Sequence, residues 1–305
     1  MKMSKYLEKN NMISIIIPFY NEEKNIPILL HEIESAMSKE NVEYETMLID
    51  DGSREKLQIS NFKFQNIHLF THKKRMGKGE ALRTGVKHAK GDIITFMDGD
   101  LQDDPSDLKK FIQKINEGAD LVNGIREKRK DSLLIKTYSF FANIVLRSIF
   151  HSPFTDINCG FKMFKKETLI DFPLYGNNFR FFPLSVYYRG YAVAEVPVNN
   201  RKRLHGTSKF GPMKLFTGIL DMVTAYFVYI FAERPLHFFG MIGGVLFLIG
   251  FLISLYLAFE RIFFNVLLYR RPLLQLGIVL IIVGIQVVMT GLIGELIVYL
   301  NKNKK

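Results

Sequence analysis

Cysteine is nearly missing from this chain: Cys159 is the one cysteine in 305 residues. A disulfide framework needs pairs, and a zinc or redox site of the Cys-x-x-Cys type needs two thiols close together, so both are excluded. Tryptophan is absent altogether. Acidic residues are outnumbered by basic ones, 30 against 41, leaving a formal charge of +11. Such an excess suits an anionic partner: nucleic acid, an acidic membrane surface or a phosphorylated substrate. With 48% hydrophobic and 23% charged residues, disorder is ruled out for most of the length. The length suits one large domain, or one domain with an appendage. A secretory leader is not expected, because the first apolar run, residues 12–19, is too short for one and reads as a strand.

Charge is also missing locally. Residues 235–259 and 272–294 contain no Asp, Glu, Lys or Arg. As helices rising about 1.5 Å per residue, each can cross a hydrocarbon core of roughly 30 Å. Neither shows the polar face of a surface helix. The pattern predicts a hairpin of two spans, at about 235–259 and 272–300, joined by residues 260–271. The link carries Arg261, Arg270 and Arg271. The flanks carry Arg201, Lys202, Arg203, Lys209, Lys214 and Arg234 on one side and Lys302, Lys304 and Lys305 on the other. The larger flank charge places the bulk of the protein in the cytoplasm. Glu295 reads as a carboxylate near the interface rather than a buried functional charge. Residues 132–150 and 210–231 are amphipathic. The second, which leads into the first span, is expected in the headgroup region; the first is open between that and core packing.

Ahead of the spans, short apolar runs alternate with helical periods. Residues 13–17, 45–49, 67–70, 92–97 and 119–122 read as strands, and 22–38, 79–89 and 105–117 as helices. This pattern predicts an α/β unit with a mostly parallel sheet covered on both faces, whose ligands gather at the carboxyl ends of the strands.

The residues just after each strand are therefore the informative ones. After the first comes Pro18-Phe19-Tyr20-Asn21-Glu22-Glu23, after the second Asp50-Asp51-Gly52-Ser53, and after the fourth Asp98-Gly99-Asp100-Leu101-Gln102-Asp103-Asp104-Pro105. Asp103, Asp104 and Ser106 read as caps of a helix begun by Pro105. Asp98 and Asp100 do not. Two carboxylates at i and i+2 of an extended segment point the same way and repel unless a cation lies between them; Mg²⁺ or Mn²⁺ fits all-oxygen ligands. The third strand leads into Arg75-Met76-Gly77-Lys78-Gly79, where two glycines at a helix start favour an anion, although no complete P-loop is present. Arg126 and Arg129 come after the fifth strand, and Arg203, His205, Gly206, Ser208 and Lys209 form a second basic cluster before the first span. Two such clusters suit a phosphate-bearing substrate at a lipid surface.

Together these motifs resemble the family 2 glycosyltransferases of GT-A fold, a Rossmann-like architecture. The segments Gly124-Ile125-Arg126-Glu127-Lys128-Arg129, Asp156-Ile157-Asn158-Cys159-Gly160-Phe161-Lys162 and Arg203-Leu204-His205-Gly206-Thr207-Ser208-Lys209 are similar to the polyprenyl-phosphate glycosyltransferases, which include dolichyl-phosphate mannose synthases and bacterial undecaprenyl-phosphate glucosyltransferases. The resemblance implies a UDP- or GDP-sugar donor, a polyprenyl phosphate acceptor and inversion at the anomeric carbon. It implies Asp98, Asp100 and Gln102 as metal ligands. It places Pro18, Tyr20, Glu22, Asp51 and Ser53, with Lys78 and Asp98, around the nucleotide sugar. Arg126, Arg129, Arg203, Ser208 and Lys209 would bind phosphate, and Asp156 would stand near the sugar, with Asp156, Arg126 and Arg129 as the catalytic set. It further implies a multi-pass protein of the inner membrane with residues 1–209 as a cytoplasmic catalytic domain, 210–234 as a juxtamembrane helix and 235–305 as the hairpin with a basic tail, and it allows a homotetramer. Arg75 stands where many relatives carry Asn, which leaves the donor open.

The chemistry needs little base. A phosphate monoester has a second pKa of about 6 and is largely dianionic at neutral pH. The difficulty is bringing one anion to another, for which the arginines are suited. Three alternatives are weaker. A processive polysaccharide synthase carries a Gln-x-x-Arg-Trp motif, and this chain has no Trp. A nucleotidyltransferase needs a Gly-rich basic loop, absent before Asn21. A membrane-tethered, non-catalytic scaffold remains, but nucleic acid is not expected as its partner, since the acidic strand ends repel a phosphate backbone.

Overall fold

The computed structural model describes residues 12–57, 66–127, 152–170, 172, 174, 176–201, 224, 234–265, 267 and 272–302. The chain divides into two units, Met1–Asp221 and Met222–Lys305.

Among its described residues the first unit has seven strands: β1 Ile13–Phe19, β2 Tyr44–Asp50, β3 Ile67–Thr71, β4 Ile93–Phe96, β5 Leu121–Glu127, β6 Lys162–Lys165 and β7 Val193–Asn199. Their order is β3-β2-β1-β4-β6-β5-β7. Only β6 runs against its neighbours. The helices are α1 Ile26–Met37, α2 Lys78–His88, α3 Leu108–Asn116 and α4 Phe182–Tyr188. Alternation along β1 explains the layers. Ile13, Ile15 and Ile17 are fully buried in one core with Leu29 and Ile33 of α1 and Phe111 and Ile115 of α3. Burial of each isoleucine contributes about 1.5–3 kcal/mol. Ile16 faces the other way, against α2, where Gly85 is required because any Cβ there would collide with the Ile16 side chain. On β6, the Phe164 ring meets Phe96 and Phe182 edge-on, at 4.9 and 4.7 Å between centroids, and so ties α4 to the sheet.

The five expected strands and three expected helices are present, with shifted ends. Helix α1 starts at Ile26 rather than 22, because residues 22–25 form a turn closed by Asn25 N–H to the Glu22 carbonyl at 2.9 Å, and Pro27 then fits the first helical turn. The helix expected at 105–117 is split into a 3-10 turn, Pro105–Asp107, and α3. Three elements add to those expected from the sequence: β6, α4 and β7. β7 is an edge strand, which is why it accommodates Pro197.

The second unit is a helical hairpin of α5 Pro235–Phe264 and α6 Pro272–Lys302. Both are long and apolar enough to cross a membrane. Large side chains such as Leu252, Ile262 and Phe263 are more than half exposed, which water would not tolerate over such an area. The first span runs past residue 259 to Phe264, so the connection is shorter than expected, and Asn265 ends it in the left-handed conformation. The helices meet antiparallel along glycines seven residues apart. Gly243 faces Gly284 and Gly250 faces Gly277, and a Cβ on Gly243 or Gly250 would stand 2.6 Å from the opposing carbonyl oxygen. Apolar side chains gain nothing from leaving lipid, so close backbone packing is what holds such helices together. Glu295 accepts a hydrogen bond from the Leu236 amide at 3.3 Å, which places its carboxylate at the start of α5, at one end of the apolar segment. Replacing Gly250 by Leu is expected to open the hairpin at a cost of about 1–3 kcal/mol or more. A cysteine pair across the α5–α6 seam that crosslinks in the parent and not in the variant is the check.

Candidate active site at the carboxyl edge of the sheet

Parallel register brings the strand ends into line. Phe19 pairs with Asp50, and Asp50 with Thr71, while Ile16 pairs with Phe96. Lys162, the first residue of the reversed strand β6, lies at the same edge between Phe96 and Asn123. The chain reverses its strand order at β1 and β4, the position where ligands of such sheets bind.

On the β1–β2 side the predicted nucleotide-binding residues shape the loops. Pro18, which has no N–H, lies where β4 has already ended. The Asn21 amide donates to Ser53 Oγ at 2.8 Å, and Arg54 N–H donates back to Asn21 Oδ1 at 3.0 Å. Glu22 accepts from Asn25 Nδ2 at 2.5 Å. Buried Asp51 accepts the Met76 and Gly77 amides, both at 2.8 Å, and meets His72 Nδ1 at 3.0 Å. It thereby fixes the turn that starts α2. Gly52, at φ +76°, packs so tightly on this turn that a Cβ would be 2.7 Å from the Lys74 carbonyl carbon. The Arg75 guanidinium lies 4.5 Å from the centre of the Tyr20 ring.

On the β4 side the acidic residues gather. Residues 98–101 form a turn, with Leu101 at φ +61°, and not the extended segment expected from the sequence. The two carboxylates consequently have separate partners: Asp98 pairs with Lys78 Nζ, and Asp100 Oδ1 accepts the Gln102 amide at 3.2 Å. Asp104 caps the 3-10 turn as expected, accepting from Ser106 N and Oγ at 3.0 and 2.7 Å. Asp103 does not cap. It is buried and accepts the Asp98 amide at 3.2 Å. Burial works against the charge on Asp98, but Lys78, Arg126 and Lys162 outweigh it and hold that carboxyl below its ordinary range. Asp103 is raised to about 7 by burial and by the charges on Asp98 and Asp100.

Beside this cluster Arg126, near the end of β5, makes a two-pronged pair with Asp156: Nε to Oδ2 at 2.8 Å and Nη2 to Oδ1 at 2.9 Å. Burial disfavours the guanidinium charge, yet Asp156 more than compensates and raises its pKa. The structure therefore assembles Lys78, Asp98, Asp100, Gln102, Asp103, Arg126 and Asp156 along one stretch of the edge, with Pro18 near the end of β1 and Tyr20, Glu22, Asp51 and Ser53 in the loops beyond β1 and β2. Arg129, Arg203, Ser208 and Lys209 lie outside the described residues, as do residues 132–150, most of 210–231, and Arg270 and Arg271 of the link. Asn123, Lys162 and Glu195 also hold the loop that carries Asp156; Lys162 ends the motif begun by Asp156, where the resemblance assigns it no role, and no sequence motif marks Asn123 or Glu195.

A hard divalent cation fits these residues. Asp98, Asp100 and Asp103 offer carboxylate oxygen and Gln102 a side-chain carbonyl, the hard donors such an ion takes. Among the described residues no three acidic or imidazole groups converge as a ready-made metal cluster. The Lys78 ammonium stands at Asp98 instead.

Comparison with known proteins agrees with this geometry. The family model described as Glycosyl transferase family 2 matches residues 14–189. Dodecaprenyl-phosphate galacturonate synthase of Rhizobium johnstonii is 31% identical over 294 residues, covering 93% of this chain and 87% of that protein. Among solved structures, glucosyl-3-phosphoglycerate synthase of Mycobacterium tuberculosis, in complex with Mn²⁺, UDP-glucose and phosphoglyceric acid, is similar with a TM-score of 0.54. The match has 19% identity and covers 74% of this chain and 81% of that one. Mannosyl-3-phosphoglycerate synthase of Rubrobacter xylanophilus gives a TM-score of 0.56 at 15% identity, covering 70% and 72%. With its family match covering more than half its length and its strand ends carrying the acidic and basic groups described, this chain belongs to glycosyl transferase family 2.

Proposed function

We propose that the protein transfers a hexose or modified hexose, with inversion, from a UDP- or GDP-sugar to a polyprenyl monophosphate at the cytoplasmic face of the inner membrane. The observation that carries this reading is the coexistence in one chain of the Asp98–Arg126 edge and two bilayer-length apolar helices, in a sequence that matches a dodecaprenyl-phosphate sugar synthase almost end to end. Residues 1–209 form the catalytic domain, 210–234 a juxtamembrane helix and 235–305 the hairpin that tethers the enzyme to the bilayer holding its acceptor.

The division of labour is set by charge. Loops carrying Pro18, Tyr20, Glu22, Asp51 and Ser53 receive the nucleotide, and Lys78 receives its phosphates. Asp98, Asp100 and Gln102 hold Mg²⁺ or Mn²⁺, which when bound supplies positive charge to a departing diphosphate. Arg126, with Arg129, Arg203, Ser208 and Lys209, neutralises and orients the lipid phosphate so that one anion can approach another. Asp156 keeps the Arg126 guanidinium in a single orientation and is not required as a base. The test is to incubate the purified protein with undecaprenyl phosphate, Mn²⁺ and a panel of labelled sugar nucleotides. Label is expected in the organic phase with one donor and only when the lipid phosphate is present. Transfer to 3-phosphoglycerate instead, or label that ignores the lipid, rejects the reading.

A further inference from the structure

Three side chains stand side by side across the sheet near its carboxyl edge. Glu195 of β7 is the cross-strand partner of Asn123 on β5, and Asn123 is the partner of Lys162 on β6. They are linked in series: Lys162 Nζ donates to Asn123 Oδ1 at 2.9 Å, and Asn123 Nδ2 donates to Glu195 Oε1 at 3.2 Å. Each also grips the same short loop. Glu195 accepts the Thr155 amide at 2.9 and 3.0 Å, the Thr155 hydroxyl at 2.8 Å and the Asp156 amide at 3.4 Å. Asn123 Nδ2 donates to the Asp156 carbonyl at 3.0 Å. Lys162 Nζ donates to the Ile157 carbonyl at 3.2 Å and to that of Cys159.

We propose that Glu195, Asn123 and Lys162 are positioning residues that fix residues 155–159 and so aim the Asp156–Arg126 pair at the Asp98 edge. Stability alone does not account for them. Asn123 and Lys162 are almost wholly buried, and an ion placed there costs more than an apolar side chain of the same volume. The loop they hold has its carboxylate locked on Arg126, and its next residue, Gly160, runs so close to the other half of the site that a Cβ would stand 2.8 Å from Asp98 Oδ2 and 3.3 Å from Lys78 Nζ. Small loop displacements therefore change the spacing between the two charged pairs, the quantity on which attack geometry depends. Burial pulls the Lys162 pKa down to about 8, while the Asn123, Ile157 and Cys159 oxygens it donates to favour its charged form.

This inference rests on the proposed glycosyl transfer to a lipid phosphate, and the test separates the two. Full-length wild-type protein, Glu195→Gln, Asp156→Asn and the double variant are assayed with undecaprenyl phosphate and the accepted sugar nucleotide. Because Glu195 acts through Asp156, Glu195→Gln is expected to lower kcat by about tenfold to a hundredfold while the donor KM changes by less than about twofold. In the Asp156→Asn background the same change should add less than about twofold. Hydrogen exchange at amides 155–159 should rise about tenfold in Glu195→Gln and stay unchanged in β1 and β2. If that variant lowers the yield of folded protein, Thr155→Val, which removes one hydroxyl donor only, takes its place. Normal kcat, losses that multiply between the two positions, or unchanged exchange at 155–159 overturns the proposal. A wild-type protein that makes no glycolipid refutes the enzymatic reading instead, and the exchange measurement alone then decides for or against the positioning network.

Discussion

Replacing both Asp98 and Asp100 by Ala is expected to reduce glycolipid formation at least about a thousandfold, and chelating divalent cations from the parent enzyme is expected to do the same. The reason is the electrostatics of the turn after β4. Three carboxylates share that turn, and the Lys78 ammonium balances only one of them directly. Without the pair, only Gln102 and Asp103 remain of the oxygen donors proposed to hold a cation, and Lys78 loses its Asp98 partner. Folding should survive, because the turn is further held by Asp104 to Ser106 and by Arg201, whose guanidinium contacts Asp104 at 2.8 Å and Glu32 at 2.7 Å. Initial rates with and without EDTA, alongside an unchanged melting transition, are the measurement. A double variant with parental rates would remove the metal from the account.

Arg126→Ala should be nearly as damaging, and in two ways. Activity is expected to fall about a hundredfold or more, since the remaining edge lacks the forked donor that a phosphate requires. Stability should fall as well, by about 3–5 kcal/mol, because Asp156 would be left buried without its partner. Asp156→Asn separates the two effects: in an Arg126→Ala background it removes the uncompensated buried carboxylate at nearly unchanged shape, and should restore most of the stability without restoring turnover. Arg126→Lys should not rescue activity, because an ammonium cannot match both oxygens of Asp156 and the acceptor together. Urea unfolding curves and single-turnover rates on these proteins are the check.

Much of this site is readable in the linear chain, for a physical reason. β1, β2 and β4 are short, mostly apolar runs followed within two residues by Asn or Asp, so both the strand and the ligand-bearing turn announce themselves. The two helices long and apolar enough to cross a bilayer are readable because charge is absent for more than about twenty residues. The rest depends on contacts distant in sequence. β6 is the four residues Lys-Met-Phe-Lys, too short to show a period, and becomes a strand only between β4 and β5. Asp103 resembles a cap because it precedes Pro105, whereas the backbone turns at Leu101 and directs it to the Asp98 amide. Lys162 and Glu195 find their partners 39 and 40 residues away, at Asn123 and Thr155, and no local pattern signals such pairings.

The central claim is that the accepting atom is an oxygen of a lipid phosphate. Phosphorus-31 spectroscopy of the organic phase tests this most directly, on protein incubated with undecaprenyl phosphate, divalent metal and the accepted sugar nucleotide. The account predicts that the monoester signal is replaced by that of a sugar phosphodiester, in step with release of one nucleoside diphosphate per lipid consumed. Consumption of the sugar nucleotide with the monoester signal intact would contradict it.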